Sequence, residues 1–344
     1  MLLEGLHIPL TTPFHPDGRL NSHKLASNIS RYSKTPAAGL IALGPSAEPT
    51  LLSDDETREV LRTAAQAAAP EKVLIAGVSR DSVHAALALA DFAAELSYDA
   101  ALIGIPSITI DKTELLTYFR TIADRSPLPI ILISFDGRSI PVDAIVELAA
   151  HSNVIGLLNV ECNSDAITEI LARAAAIKRE VTVTPTFAAV TSRMKRSAAS
   201  HAPATLISTG SLTGATTAVA EPPPHQALRT RSKTVGFQVI AGATTNLLTS
   251  LRAGATGIAP AFAACAPQAC YEVFAAWKDD DQPLAEEKQI RLIEAACLTE
   301  NAPGNLKFAC DLNGYFGGLP RLPYLPPTGE QRTDLEIQMK GLRN

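Results

Sequence analysis

Pro129-Ile130-Ile131-Leu132-Ile133-Ser134, then the helix-spaced Val142–Ala150, then Val154-Ile155-Gly156-Leu157-Leu158, is the stretch whose reading decides the fold. Both flanking runs are almost continuously apolar, as strands covered on two faces must be. Parallel strands need a crossover between them, and the intervening segment supplies one with apolar residues at three- and four-residue spacing. The same alternation recurs outward in both directions. Strands are expected over Leu6–Leu10, Gly39–Leu43, Lys72–Val78, Asp99–Gly104, Pro129–Ser134, Val154–Leu158, Phe237–Ala241 and Thr256–Pro260. Helices are expected over Ser22–Tyr32, Asp54–Ala68, Ser82–Leu96, Lys112–Ala123, Val142–Ala150 and Ser164–Ile177. Ser53-Asp54-Asp55-Glu56 has the form of a capping box and marks where the second of these begins. Eight strands in about 280 residues suit an α/β fold of the (β/α)8 TIM-barrel type, although spacing alone leaves a doubly wound sheet open.

The expected organisation is a barrel over residues 1–265 and a C-terminal extension of about three helices over 266–344, near Gln268–Trp277, Leu284–Leu298 and Gly329–Leu342. Residues 185–234 break the rhythm. They are rich in Ser, Thr, Ala and Pro, include Pro222-Pro223-Pro224, and set Arg193, Lys195, Arg196, Arg229, Arg231 and Lys233 against the single acid Glu221. The segment reads as a basic surface insertion without regular structure, with a docking arm as the sharper alternative.

Composition narrows the function. A formal charge of −5 gives no general attraction to nucleic acid or to anionic lipid, so neither is an expected partner. Outside the alanine-rich helices there is no uncharged apolar run long enough to span a bilayer. The five cysteines, Cys162, Cys265, Cys270, Cys297 and Cys310, form no C-x-x-C pair, and His7, His15, His23, His84, His151, His201 and His225 show no metal-ligand spacing. Neither a metal nor another cofactor is expected. Met1-Leu2-Leu3-Glu4-Gly5 has the form of neither a signal nor a transit peptide, and a cytoplasmic protein is expected.

Four ordered stretches resemble the dihydrodipicolinate synthase / N-acetylneuraminate lyase family of class I aldolases. Pro9-Leu10-Thr11-Thr12-Pro13-Phe14-His15-Pro16-Asp17-Gly18 is similar to that family's opening strand and loop. Gly44-Pro45-Ser46-Ala47-Glu48 resembles the loop after its second strand, and Leu128–Arg138 resembles its fifth strand and following loop. Gly314-Tyr315-Phe316-Gly317-Gly318-Leu319-Pro320-Arg321-Leu322-Pro323 resembles a C-terminal motif of branches that include the 4-hydroxy-2-oxoglutarate aldolases. The resemblance implies a barrel with extra C-terminal helices, a dimer or tetramer, and a 2-oxo acid such as pyruvate as ligand.

It also implies chemistry that these residues do not supply. The family captures the ketone on a lysine at the end of strand six, because only an amine condenses to a Schiff base. The matching position is Leu158. A tyrosine at the end of strand five moves protons, and its position is Ile133. The hydroxyl relay that accompanies it falls on Pro45 and on Ile108, within Pro106-Ser107-Ile108. Lys178 and Lys195 lie too far downstream to replace the amine, and Lys307 reads as a helix-surface charge.

Residues suited to holding an acid remain. Gly44, Ser46 and Glu48 shape a tight loop at the C-terminal barrel face, with Glu48 alternatively a cap for backbone amides. Arg138 matches an arginine that meets a substrate carboxylate in some members, or else pairs with Asp136 or Asp143. Ala259 lies in the turn after strand eight, where Pro260 removes an N–H. The expected function is therefore a lyase-family barrel without Schiff-base catalysis that binds a small 2-oxo acid or other carboxylate. Two alternatives stand beside it: an active aldolase or hydro-lyase with a relocated catalytic residue, and a scaffold partner of an active paralogue.

Overall fold

In the computed structural model eight parallel strands close on themselves in the order β1-β10-β9-β6-β5-β4-β3-β2. The structure describes residues 1–108, 111–135, 137–161, 163–200 and 228–342. Strands β1 (Gly5–Pro9), β2 (Gly39–Ala42), β3 (Val73–Gly77), β4 (Ala100–Ile103), β5 (Ile130–Ser134) and β6 (Val154–Asn159) alternate with α1 (Ser22–Tyr32), α2 (Asp54–Ala67), α3 (Val83–Glu95), α4 (Lys112–Arg125) and α5 (Val142–Ala149). The expected TIM barrel is the fold, and all eight expected strands fall where the apolar runs place them. The Ser53–Glu56 capping box opens α2.

Strand alternation divides the apolar residues between two cores. Leu6, Ile8, Leu40, Leu74 and Leu132 face outward and pack under the helices. Ile41, Val73, Ile75, Leu102, Ile131, Ile133, Leu158, Ile240 and Ala259 fill the barrel interior as a second cluster. A bulge between Ile130 and Ile131 shifts β6 so that Leu158 pairs with Ile133. Gly156 permits that arrangement, since a Cβ there would lie 2.5 Å from the Gln238 carbonyl oxygen.

After α6 (Ser164–Arg173) the chain departs from expectation. β7 (Arg179–Val183) pairs antiparallel with β8 (Arg231–Val235), and α7 (Ser192–Ser200) lies between them in sequence. Residues 185–234 are thus not structureless throughout. Regular structure forms because the segment has something to pack on at the N-terminal end of the barrel. Thr191 Oγ1 donates to the Pro70 carbonyl at 2.5 Å, and Arg193 donates to the carbonyls of Ala68 and Lys72. Leu2, Val181 and Val183 bury together. Glu221, Pro222-Pro223-Pro224, Asp136, Cys162, His201 and His225 lie outside the described residues.

The chain returns through β9 (Gln238–Ala241), α8 (Leu247–Arg252) and β10 (Gly257–Ile258), then runs into α9 (Pro267–Lys278), α10 (Gln282–Thr299), α11 (Pro303–Leu312) and α12 (Gly329–Gln338). Four α-helices stand where about three were expected, and α11 is the addition. No described helix is long and apolar enough to cross a membrane.

His7 points into the barrel, fully buried, with Nε2 within 3.1 Å of the Leu3 carbonyl oxygen. Burial pulls its pKa down to about 4. The unfolded chain therefore binds a proton that the folded chain rejects between about pH 6.5 and 4, and stability falls as pH falls through that window. The full effect is about 3 kcal/mol. Urea titrations at pH 7 and pH 4.5 should show a pH slope that His7→Gln reduces; an equal slope in both proteins would refute this role.

Candidate functional site

The C-terminal strand ends of the barrel open onto two joined cavities. One, of about 330 Å³, sits over the barrel axis and has Ile41, Leu158, Val160 and Ala259 among its lining residues. The other, of about 450 Å³, lies beside it over β2 to β5, and Arg80, Asp81, Ser107, Ile133 and Arg138 help to line it. Pro45 and Phe135 line both, so the cavities meet there. Loops at this face can vary without disturbing the interior layers that hold the strands in place.

The floor is aliphatic. Leu158 is 2% exposed and Ile133 3%, each packed within the barrel-interior cluster. No lysine is among the described residues lining either cavity. Gly242 brings the β9 loop down onto this floor, where a Cβ would meet Val160 Cγ2 at 2.8 Å. Ile108 lines neither cavity and is 55% exposed.

The other expected residues divide between the two spaces. Ser46 and Ala259 line the axial cavity, while Gly44 and Arg138 line the lateral one. Arg138 donates from Nη1 to Ser107 Oγ at 3.2 Å and has no carboxylate partner among the described residues. Asp143 is engaged elsewhere, with Arg173 at 2.8 Å.

Glu48 faces away from both cavities. It sits in the left-handed region, φ 54°, between the short 3-10 turns Pro45–Ala47 and Pro49–Leu51. Its Oε2 accepts from the Arg321 backbone N–H at 2.8 Å, and its Oε1 pairs with Lys307. Lys307 is accordingly no surface charge. Both side chains are about 1% exposed, and the ammonium lies 4.3 Å from the centre of the Phe14 ring and 3.1 Å from the Leu319 carbonyl oxygen. Burial pulls the Lys307 ammonium below its ordinary pKa while Glu48 pushes it back. Arg321 covers the Phe14 ring at 4.2 Å and forks onto Glu56 with two 2.7 Å contacts, holding that carboxyl at a pKa of about 2. The loop after β2 is thereby fastened to the C-terminal extension.

Sequence reasoning missed Arg80. Its guanidinium lines the lateral cavity, donates to the Ser79 carbonyl at 2.9 Å and lies 4.0 Å from Asp54. Tyr118, on α4, donates its hydroxyl to the backbone carbonyl of Arg80 at 2.7 Å. The available signal was position: Arg80 stands just past the C-terminal end of β3, where barrels carry their sites. Thr244 and Tyr324, on the axial cavity, carried no comparable signal.

A sequence model described as the dihydrodipicolinate synthetase family matches residues 2–182, just over half the chain. The 4-hydroxy-tetrahydrodipicolinate synthase of Gluconobacter oxydans is 24% identical over 347 aligned positions, covering 99% of this chain and 97% of its own length. Among solved structures, a dihydrodipicolinate synthetase homologue from Pseudomonas aeruginosa superposes with a TM-score of 0.78 at 18% identity, covering 99% of this chain and all of that one. A prophage protein of E. coli from the dihydrodipicolinic acid synthase family, solved in complex with pyruvate, gives 0.76 at 19% identity and covers 99% of each chain.

Proposed function

The chain belongs to the dihydrodipicolinate synthetase family, and from that premise we propose that it is a barrel without Schiff-base catalysis that binds a small carboxylate near Ser46 and Arg138. One observation carries the reading: Leu158 occupies the end of β6 on the cavity floor, and no lysine lines either cavity among the described residues. An alkyl side chain has no lone pair with which to attack a ketone and no proton to exchange. Ile133, paired across the sheet with Leu158, brings no hydroxyl to move protons.

Binding needs less than catalysis. Arg138 offers a permanent positive charge with no carboxylate partner among the described residues, and Arg80 adds a second guanidinium to the same cavity. Ser46 presents a half-buried hydroxyl at the rim of the axial space. The pyruvate held by the E. coli relative indicates the size of acid that this mouth is suited to take.

The test is chemical. Native protein incubated with pyruvate and borohydride, then weighed intact, should keep its mass. A gain of one reduced pyruvate per chain, mapped to any lysine in the barrel, would overturn the reading.

A further inference from the structure

We propose that β7, α7 and β8 form a strap, held against the N-terminal end of the barrel by its own cations, that opens and closes as one unit. Four cations reach separate parts of that end. Arg179 Nη2 donates to the carbonyls of Ala149 at 2.7 Å and His151 at 2.9 Å, where α5 stops. Arg193 donates to the Ala68 and Lys72 carbonyls past the end of α2, and Arg196 lies 3.5 Å from the carbonyl oxygen of Glu95, the last residue of α3. Lys233 pairs with Glu4 at 3.0 Å. The final carbonyls of a helix lack partners within it and carry the negative end of its dipole, so a guanidinium satisfies both needs. The basic segment that reads as a docking arm is therefore docked on its own barrel.

Little else holds the strap. No barrel strand pairs with β7 or β8 among the described residues, so no backbone ladder ties the hairpin down. Its inward face buries Val181 and Val183 against Leu2, while Glu180 turns outward and accepts from the hydroxyls of Ser232 and Thr234. The seam beneath is incompletely filled: a cavity of about 670 Å³ lies between Arg179, Val181 and Val235 of the strap and Ala150, Ile155 and Gln238 of the barrel. At the start of α7 the links are again polar, with the Thr191 hydroxyl on the Pro70 carbonyl and the Ser192 N–H on Asp99 Oδ1 at 2.5 Å. A segment with so few buried apolar contacts opens at a lower free energy than the barrel core. Salt screens its charged contacts far more than it weakens a buried core.

The experiment is native-state hydrogen exchange of the full chain, read by mass spectrometry at about 0.05 M and about 0.5 M salt. Peptides from β7, the start of α7 and β8 should exchange through one common opening, faster than β3 to β5, and faster again at the higher salt. Arg193→Gln should speed exchange about tenfold across the whole strap, β7 and β8 included, because closure then gains fewer charged hydrogen bonds. Lys178→Gln removes an equal charge from an exposed side chain and should leave the rates unchanged. Protection of β7 and β8 equal to that of β3 to β5, or an Arg193→Gln effect confined to α7, overturns the strap. Equal acceleration by Lys178→Gln would trace the effect to net charge and overturn docking through the helix ends. If Arg193→Gln fails to fold, the native chain decides: strap rates indifferent to salt refute the proposal.

Discussion

Lys307→Met is expected to lower stability by about 3–5 kcal/mol, as removing one member of a buried ion pair does. Glu48 and Lys307 are both about 1% exposed, so neither can turn to water when the other is lost. In the variant the Glu48 carboxylate keeps the Arg321 backbone N–H but loses its counter-charge, and the Phe14 face loses one of two cations. Glu48→Gln in the Lys307→Met background removes the stranded charge and should return much of the loss. Urea unfolding of both single variants and the double measures the coupling, provided the slope with denaturant stays constant. A loss below about 1 kcal/mol in Lys307→Met would show that this pair does not hold the mouth together.

That pair marks the boundary of what was legible in the sequence. The barrel was readable because strands such as β3 and β5 are apolar on both faces, and their burial is a property of each segment alone. The role of Lys307 depends on three segments, the β1 loop with Phe14, the β2 loop with Glu48 and α11, which meet only in the folded chain. A lysine in a helix looks the same whether it faces water or a carboxylate. Helix α11 itself was obscure because Pro303-Gly304-Asn305 begins it with weak helix formers. Gly304 is there because a Cβ would lie 2.1 Å from the Leu325 carbonyl oxygen, a contact distant in sequence. The β7–β8 hairpin was hidden for a similar reason: its strands are mostly exposed on one side, and their pairing spans an interval that no local pattern bridges. At the mouth, the positions of Leu158 and Ile133 on the cavity linings were legible because strand-end positions can be counted along β6 and β5. Arg80 was missed because the resemblance that guided the reading draws attention to the loops after β2 and β5, and β3 ends between them.

Leu158→Lys is expected to turn a chain that pyruvate and borohydride leave unmarked into one labelled at a single position. Leucine and lysine stems follow the same path from the end of β6, and the longer one reaches the axial cavity that Leu158 already lines. The aliphatic floor of Ile41, Val160 and Ala259 disfavours the charged ammonium and draws the new amine's pKa downward, against the opposing pull of Glu300 in the same lining. Near pH 8 a useful fraction is then neutral and attacks the ketone; water leaves, an imine forms, and hydride from borohydride reduces its C=N bond. Labelling should approach one pyruvate per chain, but aldol turnover should stay absent, because Ile133 and Pro45 still provide no hydroxyl for the proton steps. The same burial sets the pH dependence of stability. The unfolded chain holds the proton more tightly than the folded one, so this variant should gain stability as pH rises from 6 to 9. Intact mass and peptide mapping read the label, and near-ultraviolet circular dichroism shows whether the variant remains folded. A folded variant that takes no label at pH 8 would mean that position 158 does not open onto the cavity, and the account of the native leucine as the reason for lost ketone capture would fail with it.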